Sequence, residues 1–112
     1  MNYEPRYERF EAREPGGSNL PVEFRRAGFL TLGDKPEFYF FVVAGEETVA
    51  GISGSALKRF EHARRLSREE KIDLAGLWLK GRVEAGVALD SQSLFLRDEE
   101  LAQMAGSLRI QA

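Results

Sequence analysis

The sequence predicts an α+β fold: a small antiparallel sheet of three to five strands, with two or three helices packed mainly on one face. Three observations predict it. Residues 21–52 carry apolar and β-branched runs separated by glycine turns, the pattern of strands joined by hairpins. From Ser53 onward the apolar residues recur every three or four positions, the spacing of helices. At 112 residues, of which 43% are hydrophobic, the chain has one core's worth of apolar material. The expectation is a single domain over 1–112, with an aromatic arm and loop at 1–19 and the α+β body at 20–112.

In the arm, Tyr3, Tyr7 and Phe10 stand at i, i+4 and i+7, which would line one face of a short helix. Pro5 is equally compatible with an extended arm. Glu14 to Asn19 contains Pro-Gly-Gly-Ser and reads as a loop. The stretch PVEFRRAGFLTL alternates Val22, Phe24 and Arg26 against Glu23 and Arg25, with Gly28 placed to mark a bulge or bend. After the turn Gly33-Asp34-Lys35-Pro36, the run Phe38 to Val43 reads as a central strand buried on both faces. Ala44-Gly45 turns it into a partner strand, Thr48 to Ile52.

A serine at 53 or 55 then caps a helix that turns Leu57, Phe60 and Ala63 to the core. Ser67-Arg68-Glu69-Glu70 is a capping box opening a helix to about Gly86. Its inner stripe is Ile72, Ala75, Leu79 and Val83, widened by Leu74, Leu77 and Trp78. Ser93 to Leu96 reads as a short strand. Asp98-Glu99-Glu100 opens a last helix ended by Gly106, and Leu108 and Ile110 follow in a strand-like tail.

The chain has no cysteine, which excludes disulfides, thiolate zinc sites and cysteine nucleophiles. The first seventeen residues alternate charges and form no signal peptide, and no apolar run approaches a membrane span. A cytoplasmic protein without membrane contact is the expectation. The net charge of −2 argues against a dedicated nucleic-acid binder. Charge is nonetheless segregated. Between Lys58 and Lys71 six basic residues face three glutamates, leaving that segment at +3 and the remainder at −5.

The stretch ETVAGISGSALKRF poses the question of Ser53. A nucleophile elbow needs glycines two before and two after the serine, with a histidine and a carboxylate as partners. Gly51 fits, but Ser55 occupies the second glycine position. His62, the one histidine, lies about two to three helical turns further on, out of reach. A helix cap is the favoured reading and a serine-dependent enzyme the third choice. A milder functional alternative keeps Ser53, Gly54, Ser55 and Lys58 as an anion site on free helix amides. His62 alone has no ligand set for a metal. Glu69, Glu70 and Asp73 fall on the expected solvent face of a capped helix, where they serve its dipole. No cofactor or metal is predicted.

Two surfaces remain. Arg59, Arg64, Arg65 and Arg68 form a basic segment for an acidic partner, with protein favoured over nucleic acid because interleaved aromatics are lacking. Tyr3, Tyr7, Phe10, Leu74, Leu77 and Trp78 supply more apolar surface than one small sheet should cover, which predicts a homodimer.

The stretch FYFFVVAGEETVAGISGSALKRF resembles the domain of unknown function 1488 family of small bacterial proteins. The matching features are the apolar strand Phe38 to Val43, the turn Val43-Ala44-Gly45, the strand Val49 to Ile52-Ser53, and Leu57 in the helix. The likeness covers roughly residues 22–97. The aromatic arm, the C-terminal helix and the absence of a cysteine before Ile52 depart from it. It implies a small α+β fold and no known activity. The leading functional reading is a non-catalytic binding or accessory protein of bacterial or mobile-element origin, acting through protein contacts. The alternative is a phage- or plasmid-encoded inhibitor of a host nucleoprotein defence machine, of anti-CRISPR type.

Overall fold

The computed structural model describes residues 4–87 and 95–110. It is an α+β fold. Four strands form an antiparallel meander, β1 (Arg9–Arg13), β2 (Asn19–Phe29), β3 (Glu37–Val43) and β4 (Glu46–Ile52). Two helices follow, α1 (Gly54–Glu61) and α2 (Arg68–Glu84). The chain then returns to the sheet as β5 (Phe95–Leu96), parallel to β4, and ends in α3 (Asp98–Ser107).

The arm is extended, not helical. Its second half is β1, paired with β2 from Arg9 opposite Glu23 to Arg13 opposite Asn19. The alternation of Phe10 and Ala12 with Arg9, Glu11 and Arg13 explains the choice, because it sets two apolar side chains on the core face and charges outward. Those charges also blunt an open sheet edge against further pairing. The bulge in β2 lies at Arg25, between the pairs Phe24–Phe41 and Arg26–Phe40, while Gly28 pairs regularly with Phe38. The expected position was three residues late.

β3 is central in the sheet, yet it is not buried on both faces. Tyr39, Phe41 and Val43 face the helices and are buried, whereas Phe38, Phe40 and Val42 on the opposite face are half-buried. All helices sit on one side, so the alternate side chains keep an open face. Arg26 covers part of it, its guanidinium 3.9 Å from the centre of the Phe40 ring. The β3–β4 turn places Ala44 and Gly45 both at positive φ, the geometry of a two-residue hairpin loop.

Ser67 and Glu70 form the predicted capping box. At the other end of α2, Gly86 at φ +72° lets the Val87 amide reach back to the Arg82 carbonyl. α2 is surrounded by β1, β4 and α3. Glu70 and Asp73 are therefore buried, contrary to the solvent face predicted for them. α1 stops at Glu61, which leaves Ala63 exposed and only Leu57 of its expected stripe fully inside. Of the predicted strand 93–96, Phe95 and Leu96 pair with β4, and residues 93 and 94 lie outside the described residues. The tail forms no strand. Arg109 at φ +60° and the Ile110 amide on the Ala105 carbonyl close α3 as a C-terminal cap, with Leu108 and Ile110 buried beside it.

Candidate functional site

Ser53 is the cap of α1: its hydroxyl oxygen accepts from the Ala56 amide at 3.3 Å. Its hydroxyl donates to the Asp34 carboxylate at 2.8 Å and lies 3.1 Å from the Ser55 hydroxyl. The amides of Gly54 and Ser55 donate to the same carboxylate at 2.9 and 3.1 Å. The anion at the start of α1 is thus the protein's own Asp34, delivered by the β2–β3 loop. That answers the anion-site expectation with an internal occupant. The Ser55 and Ser53 hydroxyls, helped by the two amides, hold the Asp34 carboxyl at about 2. So acidic a carboxylate is poorly matched to act as a base near neutral pH. His62 is exposed and is not among the hydrogen-bond partners of Ser53.

Gly54 explains how close the loop comes. A Cβ there would stand 1.9 Å from the Asp34 carbonyl oxygen and 2.3 Å from that of Lys35. Lys35 itself sits at φ +53°, a left-handed backbone that non-glycine residues rarely adopt. The clasp therefore fixes the loop and everything it carries. Outward from it project the largest exposed apolar side chains among the described residues: Phe29 at 71%, Leu30 at 55% and Leu32 at 82% exposure. Nothing in the sequence pattern separated these from the apolar residues of a continuing strand.

The predicted basic segment does not form one surface. Arg59 forks onto Asp98 of α3, its Nε 2.8 Å from Oδ1, and each partner stabilises the charged form of the other. Arg64 reaches the buried Glu70 at 2.6 Å, and although burial pushes that carboxyl up, the Arg64 and Ser67 hydrogen bonds hold it below its ordinary value. Arg68 lies over the Phe24 ring, 5.4 Å from its centre. Among the described residues, Arg65 is the one of the four with neither an ion-pair nor a ring partner. It joins Lys58, His62 and Lys35 around an open cleft of about 450 Å3 between α1 and the β2–β3 loop. Glu37, on the same cleft, binds Lys71 at 3.2 Å and accepts the Tyr39 hydroxyl at 2.7 Å. Burial, and then the Glu37 carboxylate, push the Tyr39 phenol well above its ordinary range, so it stays protonated.

Of the apolar set expected at a dimer interface, the five described members pack inside the chain. Tyr3 lies outside the described residues. Tyr7 and Phe10 meet edge to face at 5.4 Å and pack on the core. Leu74 is fully buried, Leu77 packs against the core, and Trp78, 4% exposed, donates its indole N–H to Glu100 of α3 at 2.8 Å. The arm folds back because α2 is built to receive it. The carboxylate of Asp73 accepts the backbone amides of Arg6, at 2.8 and 3.0 Å, and Tyr7, at 2.7 Å. One turn on, Gly76 opens the space for Tyr7, whose carbonyl oxygen would be 2.6 Å from any Cβ placed there. Asp73 and Gly76, at i and i+3, are neighbours on one helix face, so the acceptor for the arm's amides and the space for its backbone lie side by side.

Among the described residues no cluster of three or more His, Asp or Glu could hold a metal ion, and no helix is long and apolar enough to cross a membrane. Compared with known proteins, the chain matches no family model, no curated protein and no solved structure.

Proposed function

We propose that this chain is a non-catalytic binding protein that acts through protein–protein contacts, with the β2–β3 hairpin as its contact element. The observation that carries the reading is the exposure of Phe29, at the end of β2, and of Leu30 and Leu32 in the loop that follows it. Among the described residues, the other large apolar side chains are buried fully or in part. A contiguous exposed apolar patch on a small protein marks an interaction site. The loop bearing it is fixed at its base by Asp34 and Gly54, so ordering it on binding costs little entropy. The surplus apolar surface that suggested a partner is thus on the hairpin, while α2 and the arm cover one another.

The test is Leu32→Asp and Phe29→Asp, each exposed and each expected to leave the melting temperature within about 2 °C of the parent. A partner captured from cells of the source organism should be retained by the parent chain and lost by both variants. Equal capture by all three proteins would remove the hairpin as the contact element. Light scattering at micromolar concentration distinguishes self-association: twice the 12.6 kDa chain mass, reverting to one chain mass in Leu32→Asp, would make the partner a second copy.

A further inference from the structure

We infer that the cleft between α1 and the β2–β3 loop receives a carboxylate-rich segment of the protein partner, bound by Lys35, Lys58 and Arg65 with His62 beside them. The inference rests on the reading of the chain as a protein-binding protein and adds the chemistry of what it binds. Around α1 the chain pairs some of its cations and leaves others open. Arg59, Arg64 and Lys71 are engaged by Asp98, Glu70 and Glu37. Lys35, Lys58 and Arg65 have no ion-pair partner among the described residues, and all three line the same cleft.

The carboxylates that could neutralise them are occupied elsewhere. Glu37 is turned to Lys71 and Tyr39, and Glu61 accepts the Leu66 amide at 2.9 Å. Counting Lys71 with the three open cations against Glu37 and Glu61, the cleft keeps an excess of two positive charges. Lys35 is not free to drift from this arrangement, because its backbone is pressed on Gly54 and its neighbour Asp34 is clasped to the start of α1. The site is therefore preorganised for an anion, which lowers the entropic cost of using it.

Geometry selects an acidic peptide over nucleic acid. Duplex binding draws its affinity from a track of many phosphate contacts, and this cleft offers three cations in a chain of net charge −2. Base stacking would need a Phe, Tyr or Trp ring in the cleft, and none lines it: Phe60, the aromatic on α1, packs against the core, and the exposed Phe29 lies outside the cleft's lining. The same loop that brings Lys35 to the cleft carries Leu30 and Leu32 outward. An acidic stretch next to an apolar anchor is the partner chemistry that complements both.

The probe is a synthetic peptide of alternating glutamate and aspartate, titrated into the isotope-labelled full chain and followed by amide chemical shifts at low and high salt. Shifts confined to residues 35 and 54–65, weakening as salt rises, are expected. Lys58→Glu combined with Arg65→Glu should weaken the peptide by about tenfold or more, and Leu32→Asp should leave it unchanged. Absence of those shifts, or equal affinity in the charge-reversed variant, would overturn the inference. Tighter binding of duplex DNA to the same amides, with a steep salt slope, would overturn it in favour of nucleic acid. If the peptide fails while Leu32→Asp still loses the cellular partner, the acidic-segment inference falls and the protein-contact reading stands. If the peptide binds at the cleft while Leu32→Asp captures normally, the cleft stands and the hairpin reading falls.

Discussion

Two clasps of the same chemistry hold this fold, and they sit in opposite environments. In each, an aspartate accepts two backbone amides from a distant segment, and a glycine at the contact lets the two segments come close. Asp73 and Gly76 hold the N-terminal arm on α2, deep in the protein, where Asp73 has no exposed surface. Asp34 and Gly54 hold the β2–β3 loop on the start of α1, where Asp34 is exposed to solvent. The buried clasp closes the core, since the arm covers apolar surface of α2 that would otherwise face water. The exposed clasp closes nothing. It fixes a loop that carries Leu32 outward and Lys35 to a basic cleft. The same hydrogen-bonding device thus serves stability in one place and presentation in the other, and burial decides which.

The comparison breaks most visibly at Asp73. Replacing it with alanine leaves the Arg6 and Tyr7 amides without their acceptor in a partly buried seam, a loss of about 3 kcal/mol. Urea unfolding should read that loss, and hydrogen exchange should show amides 6 and 7 unprotected. Asp73→Asn, which keeps one acceptor oxygen, should fall between the variant and the parent. Stability unchanged in Asp73→Ala would mean that the arm is held by Tyr7 and Phe10 packing alone.

The arm and its clasp also mark where the sequence was legible and where it was not. The hairpin at Ala44-Gly45 and the capping box at Ser67 were readable because each is closed by residues within four positions. The fate of Tyr7 and Phe10 was not, because it depends on Asp73, 66 residues from the amide of Tyr7, and that of Trp78 was not, because its indole N–H is met by Glu100, 22 residues on in α3. Helical spacing of the arm aromatics competed with the two-residue alternation at Phe10 and Ala12, and pairing with β2 decided for the strand. At the candidate site, Ser53 as a cap and Lys58 as a surface cation were legible from local pattern. The occupant of the helix start, Asp34, lies across a hairpin, and no local pattern pointed to it.

The glycines sharpen the comparison at the next level of effect. Gly76→Ala must push Tyr7 off α2, and a destabilisation of about 2 kcal/mol is expected. Gly81→Ala, on the same helix with open space around it, should instead stabilise by about 0.5–1 kcal/mol through the helix propensity of alanine. Gly54→Ala faces backbone atoms at 1.9 and 2.3 Å, which cannot yield locally, so the loop must lift. Its expected signature differs in kind: a modest fall in stability together with loss of partner capture, as in Leu32→Asp. Capture retained by Gly54→Ala would show that the hairpin acts without its clasp.

The smallest effect separates the clasps by pH. Asp34 titrates at about 2 in the folded protein against an ordinary value of 3.8, so the folded state binds its proton later than the unfolded chain does. Its contribution is therefore fully present above about pH 4 and is lost as the pH falls toward 2. A carboxyl-carbon titration by NMR should show that midpoint, with the Gly54 and Ser55 amides moving in the same window. Ser53→Ala removes one hydroxyl donor to Asp34 and the cap on the Ala56 amide at once. Stability should drop by about 1 kcal/mol, and the Asp34 midpoint should rise toward its ordinary value. Asp34→Asn should abolish the titration and flatten stability across that window relative to the parent, leaving Asp73 and the arm untouched. An Asp34 midpoint near 3.8 in the parent protein would mean that the loop is not clasped to α1 in solution, and the positioning of Lys35 and Leu32 would have to come from elsewhere.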